Sequence, residues 1–534
     1  MATFEHFYKS LSPNSQVRGK EFENFVKWFL KTDNLWRRQV KEVWLWDEHP
    51  QRDEWGPDCG IDLVLEHVNG GFWAIQAKCF DPKNSIRKEH MDSFIADASD
   101  SRFKGKLLVT STNNIGPNVD RLLTRHKVVR ILLDDLINSD IEYPDNPNKY
   151  KDIKIFDPPK PYPHQEKAIK KVVNELKKVD KGQVIMACGT GKTLTSLWIK
   201  EELEAKNVLV LLPSLSLLSQ TLREWNKGAK TSFKWICVCS DKSVAKDDKS
   251  KDEWIINTSE LGIPVTSSTE DIKKFISEKG SKIIFSTYQS SFLIASLQED
   301  KNIPKFDLVI ADEAHRCVGR ISNSFGNILD DQKIRTRKKL FFTATPKLLS
   351  KQIKRKAGEH EINVASMDDE EIFGEVLYKL NFSDALNNDP PLLTDYQVVV
   401  VGIDDPQILK IITNRKLLTT DGENVFDSES LASKIALIKS LKDYDLKRVI
   451  TFHGRVKGAS DFAKGLRKIS EIVPDQDKPK GPIFCEYVEG KMKTSERNAK
   501  LKRLKNTDSG ARRVLSNARC LSEGVDVPTL DGVA

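Results

Sequence analysis

The feature that most narrows the folds open to this chain is an apolar strand that ends in a glycine loop and opens a helix, matched further on by a second apolar strand that ends in two acids. Val184-Ile185-Met186 runs into Ala187-Cys188-Gly189-Thr190-Gly191-Lys192-Thr193, and Leu308-Val309-Ile310-Ala311 runs into Asp312-Glu313-Ala314-His315. A loop of the first kind turns backbone N–H groups of Gly189, Thr190 and Gly191 toward phosphate oxygens, while Lys192 neutralises the β and γ charges. Thr193 then offers a hydroxyl to magnesium, Asp312 reaches the same ion, and Glu313 is the natural base for the attacking water. Met186 stands where the P-loop pattern has its first glycine. The two segments imply an ATP and Mg2+ site on an α/β scaffold.

Further strand ends carry hydroxyls in order along the chain. Pro213-Ser214-Leu215 follows Val208 to Leu212, Ser286-Thr287-Tyr288 follows Ile283 to Phe285, and Thr343-Ala344-Thr345 follows Leu340 to Phe342. Gly524-Val525-Asp526-Val527-Pro528 comes last. The series resembles the motor core of superfamily 2 helicases, whose two RecA-like lobes close on ATP. The resemblance implies that Gln165, in Tyr162-Pro163-His164-Gln165, reads the adenine edge. It implies that His315, Thr343 and Thr345 couple hydrolysis to movement, and that Gly524 and Asp526 complete the nucleotide site. Ser214, Thr287 and Asn517 fall where that family touches nucleic-acid phosphates.

At 534 residues, roughly 150 per domain predicts three to four domains. No apolar run approaches a bilayer span and no signal architecture opens the chain, so a membrane partner and export are not expected. Eight scattered cysteines form neither a zinc pair nor a disulfide framework, which suits reduced core thiols. A net charge of +8 over this length does not by itself announce a nucleic-acid protein. Three basic clusters are candidates for phosphate contact, although most such runs are solvated faces: Arg335 to Lys339, Lys351 to Lys356, and Arg497 to Arg503.

A second chemical region precedes the motor. Ile61-Asp62-Leu63-Val64-Leu65 and Phe72-Trp73-Ala74-Ile75-Gln76-Ala77-Lys78 flank Asn69-Gly70-Gly71, a hairpin signal. Alternation puts Gln76 and Lys78 on one face, and a three-residue loop would set Asp62 directly across from Lys78. A carboxylate, an amide oxygen and an ammonium together suit metal-dependent hydrolysis. Asp62 and Gln76 would bind magnesium and Lys78 would activate or stabilise the attacking water. The arrangement resembles the PD-(D/E)xK nucleases, in particular their Mrr-like branch, with Phe22, Phe25, Val26 and Phe29 on an upstream helix and Leu107 to Thr110 as a core strand. In that branch a Glu of this helix helps hold the metal, which maps to Glu23. Gln76 replaces the acid of the superfamily signature, so Asp62 and Glu23, with Asp58, would carry the charge.

The organisation predicted is a restriction-endonuclease-like nuclease domain over 1–145, a linker over 146–160, and two RecA-like parallel-sheet lobes over 161–380 and 381–534. The second lobe is incomplete, and 240–256 reads as a surface insertion. No arginine finger follows Asp526, so the stretch reads as part of a longer polypeptide, with weak ATP turnover on its own. Nuclease then motor resembles the single-polypeptide Type I (Type ISP) restriction-modification enzymes. That resemblance implies translocation on double-stranded DNA, a prokaryotic cytoplasmic setting, and methyltransferase and target-recognition domains downstream that bind S-adenosylmethionine. Two other readings stay open: the motor subunit of a multisubunit Type I enzyme, and a nonenzymatic ATP-regulated nucleic-acid clamp.

Overall fold

A computed structural model describes residues 3–56, 60–150, 158–239, 262–320, 324–359, 363–402, 428–490, 492, 494–508, 510–518 and 530–534. Asp58, the predicted insertion at 240–256, Gly524 and Asp526 lie outside these residues. The chain divides into two compact units, with the main break after Thr394.

In the first unit, helices α1 (Phe4–Ser10) and α2 (Ser15–Thr32) precede a five-stranded sheet. Its order is β1 (Val40–Leu45), β2 (Leu63–His67), β3 (Phe72–Lys78), β4 (Phe103–Thr110) and β5 (Val129–Ile131). The first three strands are antiparallel neighbours, and β3, β4 and β5 run parallel. Asn14 caps α2 by accepting from Gln16 and Val17, and the helix turns Phe22, Phe25, Val26 and Phe29 inward at helical spacing. Phe25 stacks on Phe7 at 4.6 Å and meets Tyr143 at 6.1 Å. Tyr150 lies against Trp28, so the start of the predicted linker packs on the nuclease helix rather than hanging free.

The same unit holds an eight-stranded sheet in which every neighbouring pair is parallel. Its strands are β6 (Lys181–Met186), β7 (Asn207–Leu212), β8 (Lys234–Val238), β9 (Val265–Thr266), β10 (Lys282–Thr287) and β11 (Phe306–Ala311), with β13 (Thr336–Thr343) and β15 (Glu375–Leu380). A small ribbon of β12 (Gly319–Arg320) and β14 (Val364–Ala365) stands apart. The order β15-β6-β13-β11-β7-β10-β8-β9 puts β6, β13 and β11 side by side. Central strands covered on both faces must be apolar throughout, and β7 is buried at every position. Helices α3 (Pro163–Leu176), α4 (Lys192–Glu202) and α5 (Leu215–Gly228) supply much of that cover.

The second unit has a parallel sheet ordered β17-β18-β16-β19: β16 (Arg448–His453), β17 (Ile483–Val488), β18 (Arg512–Ala518) and β19 (Gly532–Val533). Helices α6 (Ser428–Asp443) and α7 (Val456–Ile472) pack on it through Leu431, Ile435, Ile438, Phe462 and Leu466. The predicted strands at 449–452 and 514–516 fall within β16 and β18.

Truncating Phe25 removes the ring at the centre of the α1–α2 cluster. Phe25→Ala is expected to cost the nuclease fold about 3–5 kcal/mol. Hydrogen exchange of the α2 amides should accelerate accordingly, and unchanged exchange there would contradict the packing assigned to Phe25.

Candidate functional site

The nucleotide loop begins where β6 ends. Met186 is the last residue of that strand and pairs with Leu380, so its backbone is extended and needs no glycine. Gly189 and Gly191 do need to be glycine, for both have φ of +81°, and a Cβ on Gly191 would collide with the Gln165 amide. Gly191 then caps α4, leaving the first N–H groups of that helix directed at whatever occupies the loop. The Gln165 amide is engaged by the chain itself: its Oε1 accepts from Tyr162 N at 2.9 Å and its Nε2 donates to Gly191 O at 3.3 Å. The residue predicted to read adenine therefore braces the phosphate loop, and His164 joins it on Thr190 O at 3.0 Å.

Asp312 leaves β11 two strands away. Lys192 Nζ lies 3.1 Å from Glu313 Oε1, and both side chains are largely buried. Burial works against the Lys192 charge, but Glu313 and Asp312 hold its ammonium above the usual pKa. Burial would also raise Glu313, yet His315 and Lys192 together keep it below the usual carboxylate range. Asp312 goes the other way, raised by burial and by the charge of Glu313. Glu313 sits at φ +47°, and its N–H donates to Asp312 Oδ1 at 2.9 Å. A non-glycine residue in that region stores strain, as functional sites often do.

Between the two motifs, β13 ends at Thr343, whose Oγ1 lies 3.0 Å from His315 Nδ1 and accepts from Thr345 N at 3.2 Å. Two aromatic donors escaped the sequence reading. Tyr288 donates to Asp312 O at 2.7 Å, and Trp225 Nε1 donates to Thr193 O at 3.0 Å. Only the rule that a buried indole or phenol seeks an acceptor hinted at them.

Of the predicted phosphate contacts, Ser214 is the N-cap of α5 and accepts from Leu217 N. Thr287 is buried and bonds Ser290 Oγ at 3.0 Å, and Asn517 is fully buried in β18. The first basic cluster is structural: Arg335 donates to the carbonyls of Asp300 and Ile303, Lys338 pairs with Asp180, and buried Lys339 pairs with Asp331. Lys354 pairs with Asp368, and Arg503 with Glu486.

In the nuclease fold, the hairpin register differs from expectation by two residues. Leu63 pairs with Ile75, and Asp62 N donates to Ile75 O at 3.0 Å, which brings Asp62 beside Gln76 rather than across from Lys78. Glu66 pairs with Phe72, so five residues, His67 to Gly71, lie between the paired ends rather than three, with Gly70 and Gly71 both in the left-handed region. A slip of two preserves side-chain parity, so Asp62, Gln76 and Lys78 still share a face. Asp62 Oδ2 accepts from Gln76 Nε2 and from Ala77 N at 2.7 Å. With Nε2 given to Asp62, Gln76 has its Oε1 left to offer a cation. Glu23 projects from α2 toward the same place, paired with Lys20 at 2.9 Å. Burial and then the Asp62 charge raise its pKa, against the pull of Lys20 and Lys78. The donors are hard oxygens of the kind magnesium takes.

Residues 31–152 match a family model described as a restriction endonuclease, and residues 158–348 one described as the res subunit of Type III restriction enzymes. Probable helicases of African swine fever virus isolates are 24–25% identical over 69% of this chain and 36% of their own length. Among solved structures, an ATP-dependent Type ISP restriction-modification enzyme, LlaBIII, bound to DNA, superposes with a TM-score of 0.79 at 27% identity. That match covers 96% of this chain and 34% of LlaBIII, so the chain spans about a third of the length of these relatives. Among the described residues no helix is long and apolar enough to cross a membrane. The chain thus carries a restriction-endonuclease domain followed by a helicase-like ATPase domain of the restriction-enzyme kind, in the fold of a Type ISP enzyme.

Proposed function

We propose that this chain is the nuclease and motor part of a single-polypeptide restriction-modification enzyme of prokaryotic cytoplasm, translocating on double-stranded DNA at the expense of ATP and cutting it with magnesium. The observation that carries the reading is the 3.1 Å contact of Lys192 with Glu313, which joins two distant motifs at the ends of the strands on either side of β13 in one sheet. Nuclease, linker and lobes would divide near 145, 160 and 380–394, with methyltransferase and target-recognition domains, and S-adenosylmethionine, supplied elsewhere in the polypeptide. The match to an enzyme bound to DNA supports DNA as partner.

At the ATP site, Lys192 and the α4 N–H groups would hold the phosphates, Thr193 and Asp312 would hold the magnesium ion, and Glu313 would take the proton of the attacking water. His315 orients Glu313 and ties it to Thr343, so a change at the carboxylate is felt at the end of β13. In the nuclease, Asp62, Gln76 and Glu23 would hold magnesium, whose role there is to polarise the scissile phosphate and acidify water. Lys78 places an ammonium beside that position, where it stabilises charge on the pentavalent phosphate.

On supercoiled plasmid with magnesium, the full-length protein should nick DNA. Asp62→Ala and Lys78→Ala should each lower nicking by roughly 100-fold or more while leaving ATP turnover intact. Nicking that persists in both variants would assign cleavage elsewhere. Lys192→Ala should lower DNA-stimulated ATP turnover by about 100-fold or more and stop translocation; turnover equal to the parent would remove the motor assignment.

A further inference from the structure

The nuclease does not merely precede the ATPase lobe in sequence; it rests on α5. Arg223, Asn226 and Lys227 are spaced i, i+3, i+4 and so lie on one helix face. Arg223 pairs with Asp135 at 3.6 Å, Asn226 O accepts from Arg38 Nη2 at 3.3 Å, and Lys227 pairs with Asp140 at 3.0 Å. Beside them Gln39, buried, donates its Nε2 to Trp235 O in β8, and the Arg38 guanidinium lies 4.8 Å from the centre of the Phe233 ring.

Arg38 is an expensive residue to put there. Burial lowers its pKa to about 10, and its Nε and Nη1 meet no hydrogen-bond partner among the described residues. A cation kept at such cost, on a surface that apolar packing could have closed more cheaply, points to a contact selected for its geometry.

The opposite face of α5 belongs to the nucleotide loop. Trp225 is fully buried, packs edge-on against Phe285 at 5.5 Å, and gives its indole N–H to the carbonyl of Thr193, the residue after the P-loop lysine. Gly228 lets α5 close on α4, since a Cβ there would collide with Leu194. Thr193 and Arg38 are thus joined through successive residues of one helix turn, Trp225 and Asn226.

We propose that α5 transmits the occupancy of the P-loop to the seat of the nuclease, with Trp225 and Arg38 as positioning residues at its two faces. The inference rests on the ATP reading above. The observed basis is two hydrogen bonds, Trp225 Nε1 to Thr193 O and Arg38 Nη2 to Asn226 O, joined by the backbone of one helix turn, and the coupling between them is what experiment measures.

Hydrogen exchange on the full-length protein tests it, with and without magnesium and a non-hydrolysable ATP analogue. Nucleotide should protect amides in 192–202 and also change exchange in 33–41 and 130–138, by roughly 5–150-fold for a coupling of ordinary size. Trp225→Phe, which keeps a ring but loses the donor, should retain the response at 192–202 and lose it at 33–41. Arg223→Glu, which sets a carboxylate against Asp135, should abolish the distant response, and adding Asp135→Asn should restore it, since the amide can still accept from Leu132 N. A Trp225→Phe protein whose 33–41 response equals the parent's overturns the proposal, even if exchange there is faster throughout. No response at 192–202 in the parent would overturn the ATP reading, and this inference with it.

Discussion

The ATPase site depends on strand order. A parallel sheet delivers every strand end to one edge, and ligands of such sheets collect there. Because β6, β13 and β11 are adjacent, the phosphate loop, Thr343 and Asp312-Glu313 arrive within one hydrogen-bonded group although they are far apart in sequence. The Lys192–Glu313 pair is largely removed from water, so each charge would be costly alone and is held by the other. Any change that misplaced β13 would separate the two halves of the site without touching either motif.

The nuclease solves a different electrostatic problem. A second carboxylate beside Asp62 would repel it and demand a cation for stability, whereas Gln76 donates a hydrogen bond to Asp62 and leaves an oxygen to spare. The amide thereby organises the carboxylate without a cation, and would hold a hard cation less strongly than a carboxylate does. The raised pKa of Glu23 fits the same arrangement, because its carboxyl is partly buried beside the Asp62 charge, which outweighs the pull of Lys20 and Lys78. A bound cation would reverse that shift, favouring the ionised form of Glu23.

Motifs and strand cores were legible because both are local. Apolar runs at 208–212, 283–285, 308–311 and 340–342 became strands of one parallel sheet, and the helix inferred from Phe22, Phe25, Val26 and Phe29 is α2. Register was less legible, since it turned on two residues of the connection: Glu66 rather than Val68 stands opposite Phe72, which moved Asp62 from Lys78 to Gln76. Parity survived, so the shared face was read correctly although the pairing was not. The basic cluster at 335–339 was less legible for a related reason. Charge runs reveal composition but not partners, and Asp180 and Asp331, which neutralise Lys338 and Lys339, lie elsewhere in the chain. Thr287 and Asn517, both offered for phosphate contact, are buried, which their place at strand ends did not reveal.

The contact between nuclease and lobe was invisible in sequence, because polar residues at 38, 39, 135, 140, 223 and 227 look like ordinary solvated surface. Its composition is nonetheless informative. A broad apolar seam would hold the two folds in place, but it would report little about small displacements of a helix. Hydrogen bonds weaken steeply with distance and angle, so a seat held in part by them is sensitive to a shift of a fraction of an ångström. Arg38 sharpens that sensitivity: its buried charge is tolerable while Asn226 O and the Phe233 face are in reach, and becomes costly if they move. A polar seat on a helix that also touches the phosphate loop therefore suits a joint that must respond to chemistry, where an apolar seam would suit one that must only hold.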